Sequence, residues 1–212
     1  MRLKIQKVLI ALFIIAGSAN CSSADYIEGV EYVRLPVQMA TTSEPGKIEV
    51  IEIFWYMCPH CYRLESQLNN WNMPDNIDFK LVPAISPGGW AATGARVFYT
   101  AVALGLLDEI HTPLFEAIHT DKRTNLGNDP EAIAKFFTGY GVNEDKFYDT
   151  WNSFFVDSKL ASAKQTFVNS GITGVPAVIV NGKYLTSPGK AGSAEEMLRV
   201  IEYLVNLESG TR

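Results

Sequence analysis

The chain has 212 residues, 47% of them hydrophobic and 19% charged, which is the composition of a globular protein with a sizeable core. Its length suits one large domain, or one domain carrying an insertion, without requiring two independent units. Acids outnumber bases, 23 to 18, for a net charge of −5, and no basic patch interrupts them, so nucleic-acid binding is excluded as an expectation.

The first residues read as an export signal. Arg2, Lys4 and Lys7 form a positive region, Val8 to Ala16 is an unbroken apolar run, and Ser22-Ser23-Ala24 supplies the small residues of a cleavage site. The apolar run is shorter than the ~20 residues needed to span a bilayer. Residues 1–24 are therefore expected to be a cleaved signal peptide, which places the mature chain outside the cytoplasm. Cleavage removes three basic residues and Cys21, leaving two cysteines and a charge of −8. Cys21 follows a short apolar run, as lipidated cysteines do. The preceding Asn20, however, stands where a small residue would be required, so cleavage is the expectation and not lipidation.

Past the signal, Glu31 to Leu35 suggests an edge strand. Ile48 to Tyr56 is rich in β-branched and aromatic residues and reads as a mostly buried strand. Cys58-Pro59-His60-Cys61 follows at once, and helical spacing then runs from Tyr62 to Trp71. Ile77 to Ile85 reads as a second strand that ends at Pro87-Gly88-Gly89. Helical spacing then recurs over 91–106, 108–119, 130–139, 144–156 and 158–169. Asp129-Pro130-Glu131 forms a helix start, and Gly171 stands where a helix-ending glycine belongs. Val175 to Val180 reads as a strand, Asn181-Gly182 as a hairpin turn, and Ser193 with Glu196 as the capping box of a final helix that reaches about Leu207. Without the helical block an α/β unit of ordinary size remains, so 88–170 is expected to be an all-helical insertion between 25–87 and 171–212.

Two cysteines three positions apart in an exported protein narrow the chemistry. So small a loop removes little chain entropy from the unfolded state, which argues against a purely structural disulfide. A zinc site needs about four ligands, and only His60 is close in sequence. Haem attachment needs His directly after the second cysteine, where Tyr62 stands. Redox exchange remains, with no metal and no cofactor beyond the cysteine pair.

With Cys58 at the N-cap of a helix and Pro59 at its first position, the sulfur faces the unpaired N–H groups of His60 and Cys61 and the positive end of the helix dipole. Those groups favour a Cys58 thiolate. Cys61, one turn further in, is the more buried sulfur. A charged or hydrogen-bond-donating His60 adds to the effect. Stabilising the thiolate stabilises the dithiol against the disulfide, which makes the disulfide the stronger oxidant. Glu52 has two readings: a buried proton acceptor beneath Cys61, or a strand residue facing solvent or paired with Lys80. For Val175-Pro176, the local sequence alone favours an ordinary trans peptide.

The segment Phe54-Trp55-Tyr56-Met57-Cys58-Pro59-His60-Cys61-Tyr62 resembles the active-site segment of the DsbA family of thiol–disulfide oxidases. Gly174-Val175-Pro176 with Val180-Asn181-Gly182-Lys183-Tyr184 is similar to that family's cis-proline loop and hairpin. The resemblance implies a thioredoxin fold with an inserted helical domain in a periplasmic protein. It implies that Cys58 is the nucleophile, that Val175-Pro176 is cis and packs against the disulfide, and that Glu52 is the buried acid. It further implies reoxidation by a DsbB-like, quinone-linked membrane protein, and clients that are unfolded secreted proteins with reduced cysteines. A disulfide isomerase or reductase is the alternative within redox chemistry, but residues 25–44 are too few for the separate dimerisation domain such enzymes often carry. A chaperone or metal-binding module is the alternative from another class, and the further cysteine or Met/His-rich run it would need does not appear.

Overall fold

The computed structural model describes residues 25–89 and 91–210; the expected signal peptide and Cys21 lie outside them. A five-stranded sheet holds β1 (Tyr32–Arg34), β2 (Ile48–Phe54), β3 (Ile77–Pro83), β4 (Ala177–Val180) and β5 (Tyr184–Thr186) in the spatial order β1-β5-β4-β2-β3. β2 runs parallel to β3 and antiparallel to β4. The parallel pair is bridged by α1 (Pro59–Leu68), the crossover that such a pair requires.

Both faces of the sheet are covered, which is why five of the seven β2 residues are apolar and its two glutamates are buried. On one face Val50, Val178 and Val180 pack with Leu64 of α1 and with Met197, Ile201 and Leu204 of α8 (Ala194–Ser209). On the other, Ile53, Ala177 and Ile179 meet Phe167 and Ile172. Between β3 and β4 the chain forms α2 (Ala92–Leu104), α3 (Leu107–His119), a 3-10 turn at Thr124–Gly127, α4 (Pro130–Thr138), α5 (Glu144–Trp151) and α6 (Phe154–Ser170). Their core is continuous with the end of β2. Phe54, Tyr56, Cys58 and Cys61 are buried in one cluster with Phe98, Leu114, Phe115 and Phe137.

Local chemistry sets most boundaries. The Asp129 carboxylate accepts from the Glu131 N–H at 3.0 Å with Pro130 in the first turn, and Gly171 ends α6 at a φ of 64°. Four expectations shift. β2 ends at Phe54, two residues early, because Trp55 to Met57 turn so that the Cys58 N–H reaches the Trp55 carbonyl at 2.9 Å. The break between the fourth and fifth helices of the block falls at Asn152-Ser153, where the Ser153 hydroxyl accepts from the Val156 N–H. A short helix, α7 (Pro188–Ala191), lies in what read as loop. At Ser193 only half of the capping box forms: its hydroxyl accepts from the Glu196 N–H at 2.9 Å, but the Glu196 carboxylate accepts from the Tyr26 hydroxyl at 2.6 Å. The Asn181-Gly182 turn has a positive φ at both residues, and Gly182 cannot carry a side chain because a Cβ would strike the Met39 carbonyl.

Candidate active site

The end of β2 and the start of α1 place the two cysteines. Cys58 is the N-cap of α1, in extended conformation, and its sulfur accepts from the Cys61 N–H at 3.4 Å. Pro59 occupies the first helical position, where its missing N–H costs nothing. Both cysteines are free thiols, 7% exposed at Cys58 and 1% at Cys61, so attack from outside falls on Cys58. A hydrogen bond from the Cys61 thiol, helped by the backbone N–H groups of Cys61 and His60, outweighs desolvation and lowers the Cys58 thiol to about 6. Burial, and then the neighbouring Cys58, push Cys61 far above the ordinary thiol range. One sulfur is thus held ready to ionise and the other is kept protonated.

His60 is exposed, and its Nδ1 lies 2.6 Å from the Arg63 guanidinium. A guanidinium only donates, so Nδ1 is the acceptor in this contact. Coulombic help from His60 ranks last among the groups that favour the Cys58 thiolate.

Glu52 lies on β2, an interior strand, between Leu81 of β3 and Val178 of β4, and is 3% exposed. The structure therefore rules out the solvent-facing and Lys80-paired alternatives. Lys80 engages Glu49 at 2.6 Å and Asp78 at 3.0 Å instead. Burial, then the charges of Glu65 and Cys58, raise the Glu52 carboxyl to about 8.

Val175-Pro176 is cis, as the resemblance implies and contrary to the local reading. The Val175 carbonyl stands 3.4 Å from the Cys58 sulfur, a contact that suits the thiol, which can donate, and not the thiolate. Beside it opens a groove of about 470 Å³ lined by His60, Val175 and Pro176 together with residues of β5 and α7.

Besides Glu52 two more acids are buried, Glu49, which Lys80 holds, and Glu65, and sequence reasoning missed both. Glu65 lies on the buried side of α1, where it accepts from the Thr112 hydroxyl at 2.6 Å and sits 3.4 Å from His111 Nε2. The histidine contact is an ion-pair approach and not an aligned hydrogen bond. Burial alone would raise the Glu65 carboxyl, but His111, Thr112 and Asn69 together hold it below its ordinary value. His111 Nδ1 also meets the Tyr56 hydroxyl at 2.8 Å, and His119 Nε2 donates to the Tyr56 carbonyl at 2.7 Å. Two histidines of α3 thereby grip the residue two positions before Cys58. Glu65, four residues after Cys61, was open to notice as a carboxylate at helical spacing from a buried sulfur; its partners on α3 had no sequence signal. Among the described residues no group of three or more His, Cys, Asp or Glu side chains could hold a metal ion.

Comparisons with known proteins agree with this geometry. The family model of the DSBA-like thioredoxin domain matches residues 66–195. The thiol:disulfide interchange protein DsbA of Azotobacter vinelandii is 40% identical over 201 residues, covering 93% of this chain and 92% of that protein. A crystal structure of a single-residue variant of Pseudomonas aeruginosa DsbA superposes with a TM-score of 0.81 at 39% identity, over 88% of this chain and all of that one. The oxidoreductase DsbA of Xylella fastidiosa also gives 0.81, at 35% identity over 87% and 98%. With its mixed sheet, its Cys58-Pro59-His60-Cys61 helix start and these relatives, the chain belongs to the DsbA family of thiol:disulfide interchange proteins: it is a thiol–disulfide oxidoreductase with a thioredoxin fold.

Proposed function

We propose that this protein works in the oxidising direction, passing a Cys58–Cys61 disulfide to reduced cysteines of exported proteins as they fold. The observation that carries the reading is the asymmetry of the two sulfurs, one lowered to about 6 and the other pushed far up. A client thiolate attacks the Cys58 sulfur of the disulfide. The S–S bond breaks, and Cys61 leaves with the electron pair and takes a proton, for which Glu52 is the nearby donor. A second client thiolate then attacks the client sulfur of the mixed disulfide and expels Cys58 as a stable thiolate. Two electrons pass from the client dithiol to the enzyme, and the client gains a disulfide. No metal or further cofactor enters.

His60 steadies the thiolate, Pro59 sets the helix start, and Val175 and Pro176 offer backbone to an extended client segment by strand-like pairing. In this reading residues 25–87 and 171–212 form the thioredoxin-like unit and 88–170 the helical insertion. The leader is cleaved near Ala24, the mature protein works in the periplasm, and a DsbB-like, quinone-linked membrane protein restores the disulfide.

Mixing the oxidised protein with a reduced multi-cysteine client tests the assignment. Cys58→Ala should abolish client oxidation, and Cys61→Ala, mixed instead with a client that carries a disulfide, should form a mixed disulfide through Cys58, whose thiolate attacks one client sulfur and releases the other as a thiolate. Oxidation by Cys58→Ala at the wild-type rate would overturn the assignment.

A further inference from the structure

The groove beside Val175-Pro176 has a charge pattern that thiol exchange itself does not need. Apart from His60, Lys190 is the only ionisable side chain among the described residues that line it, and no Asp or Glu contributes; the rest are glycines, apolar residues and small hydroxyls such as Thr173 and Ser187. α7 puts Lys190 there: Pro188 opens the turn, and the Ser187 hydroxyl accepts from the Lys190 N–H at 3.3 Å. Among the described residues, no carboxylate lies within ion-pair distance of the Lys190 ammonium or of Arg63 behind His60. Lys80, Lys183, Arg34, Arg96 and Arg199 each hold an acid, whereas Lys47, Lys122, Arg123, Lys135, Lys146, Lys159 and Lys164 do not, so it is the acid-free lining of the groove, and not the unpaired state of Lys190 alone, that sets the groove apart. In a chain whose acids outnumber its bases, this groove is a local reversal of sign.

We propose that Lys190 makes the groove select clients by charge, so that a segment with Asp or Glu beside its reactive cysteine is taken in preference to one with Lys or Arg. The inference rests on the reading of Cys58 as the attacked sulfur. A client strand laid along Val175, with its cysteine at Cys58, carries its neighbouring side chains over the groove that His60 and Lys190 line. The interaction is partly exposed to water. It therefore accounts for about a two- to fivefold preference and weakens as salt shortens the screening length.

The test uses three dithiol peptides that differ at one position beside the cysteine that attacks first: Glu, Gln or Lys. Rates of peptide oxidation are measured for the oxidised wild type and for Lys190→Glu and Lys190→Gln. A neighbouring acid raises the peptide's own thiol pKa and lowers its thiolate fraction. The decisive quantity is therefore the Glu-to-Lys rate ratio of wild type divided by that of the variant, in which this intrinsic effect cancels. The wild-type ratio should exceed that of Lys190→Gln by about two- to fivefold and that of Lys190→Glu by more, with the differences collapsing in high salt. Equal ratios in all three proteins would overturn the inference while leaving the oxidase reading intact. Failure of the wild type to oxidise even the Gln peptide would instead overturn the oxidase reading.

Discussion

Acidification should weaken this protein as an oxidant, by an amount that the Cys58 environment sets. The thiol is lowered from 9.0 to about 6, a shift worth about 4 kcal/mol between its two protonation states. Only the reduced enzyme carries this group. Because the folded-state value is depressed, the added stability of the reduced form is complete above the ordinary thiol value and vanishes as pH falls through about 6. Near pH 7 about one pKa unit of the shift is in force, which is ~1.4 kcal/mol, or ~30 mV for the two-electron couple. Glutathione ionises like an ordinary thiol, so it makes a suitable reference. The equilibrium between enzyme disulfide and reduced glutathione should move toward reduced enzyme about tenfold from near pH 5 to near pH 7, and should be flat below that range. The assay is equilibration in glutathione buffers, acid quench, alkylation of free thiols and counting of modified protein by mass. A constant that stays level up to about pH 8 would show that Cys58 ionises like a free cysteine, and that neither the Cys61 thiol nor the helix start confers acidity on it.

Three further outcomes are expected. Glu52→Gln should stabilise the folded protein by up to about 3 kcal/mol near pH 7, because the raised carboxyl makes folding costlier as pH climbs from its ordinary value of 4.5 toward about 8. Urea unfolding should show the gain shrinking toward pH 4 while client oxidation slows, and a gain independent of pH would refute the placement of that charge. His60→Ser should raise the Cys58 thiol and make the disulfide less oxidising by under about tenfold, since the histidine ranks below Cys61 as a stabiliser; an unchanged glutathione equilibrium would deny it any electrostatic role. His111→Phe removes the partner of a buried carboxylate and should destabilise the fold by ~3 kcal/mol in thermal or urea unfolding, and a neutral result would mean that Glu65 is adequately held by Thr112 and Asn69 alone.

The residues themselves determined everything that depends on near neighbours along the chain. A cysteine followed by proline at a strand-to-helix junction is an N-cap because the unpaired N–H groups lie two and three residues ahead, so the direction of the Cys58 shift and the burial of Cys61 were legible without coordinates, while the largest stabiliser, the hydrogen bond from the Cys61 thiol, was not among the groups named. The Asp129 cap, the Gly171 stop and the Asn181-Gly182 turn were legible for the same reason. Tertiary structure decided what depends on distant partners. Glu52 could have faced water or Lys80 until β3 and β4 closed over it, because a strand's sequence does not say how many neighbours the strand will have. The cis state of Pro176 was open on local sequence, and the contact of the Val175 carbonyl with Cys58 joins residues 117 apart in the chain. The hold of α3 on Tyr56 and Glu65 spans 55 and 47 residues. Buried polar groups must find partners wherever packing brings them, and the packing of a helical block against the end of a sheet is written in no single stretch of the chain.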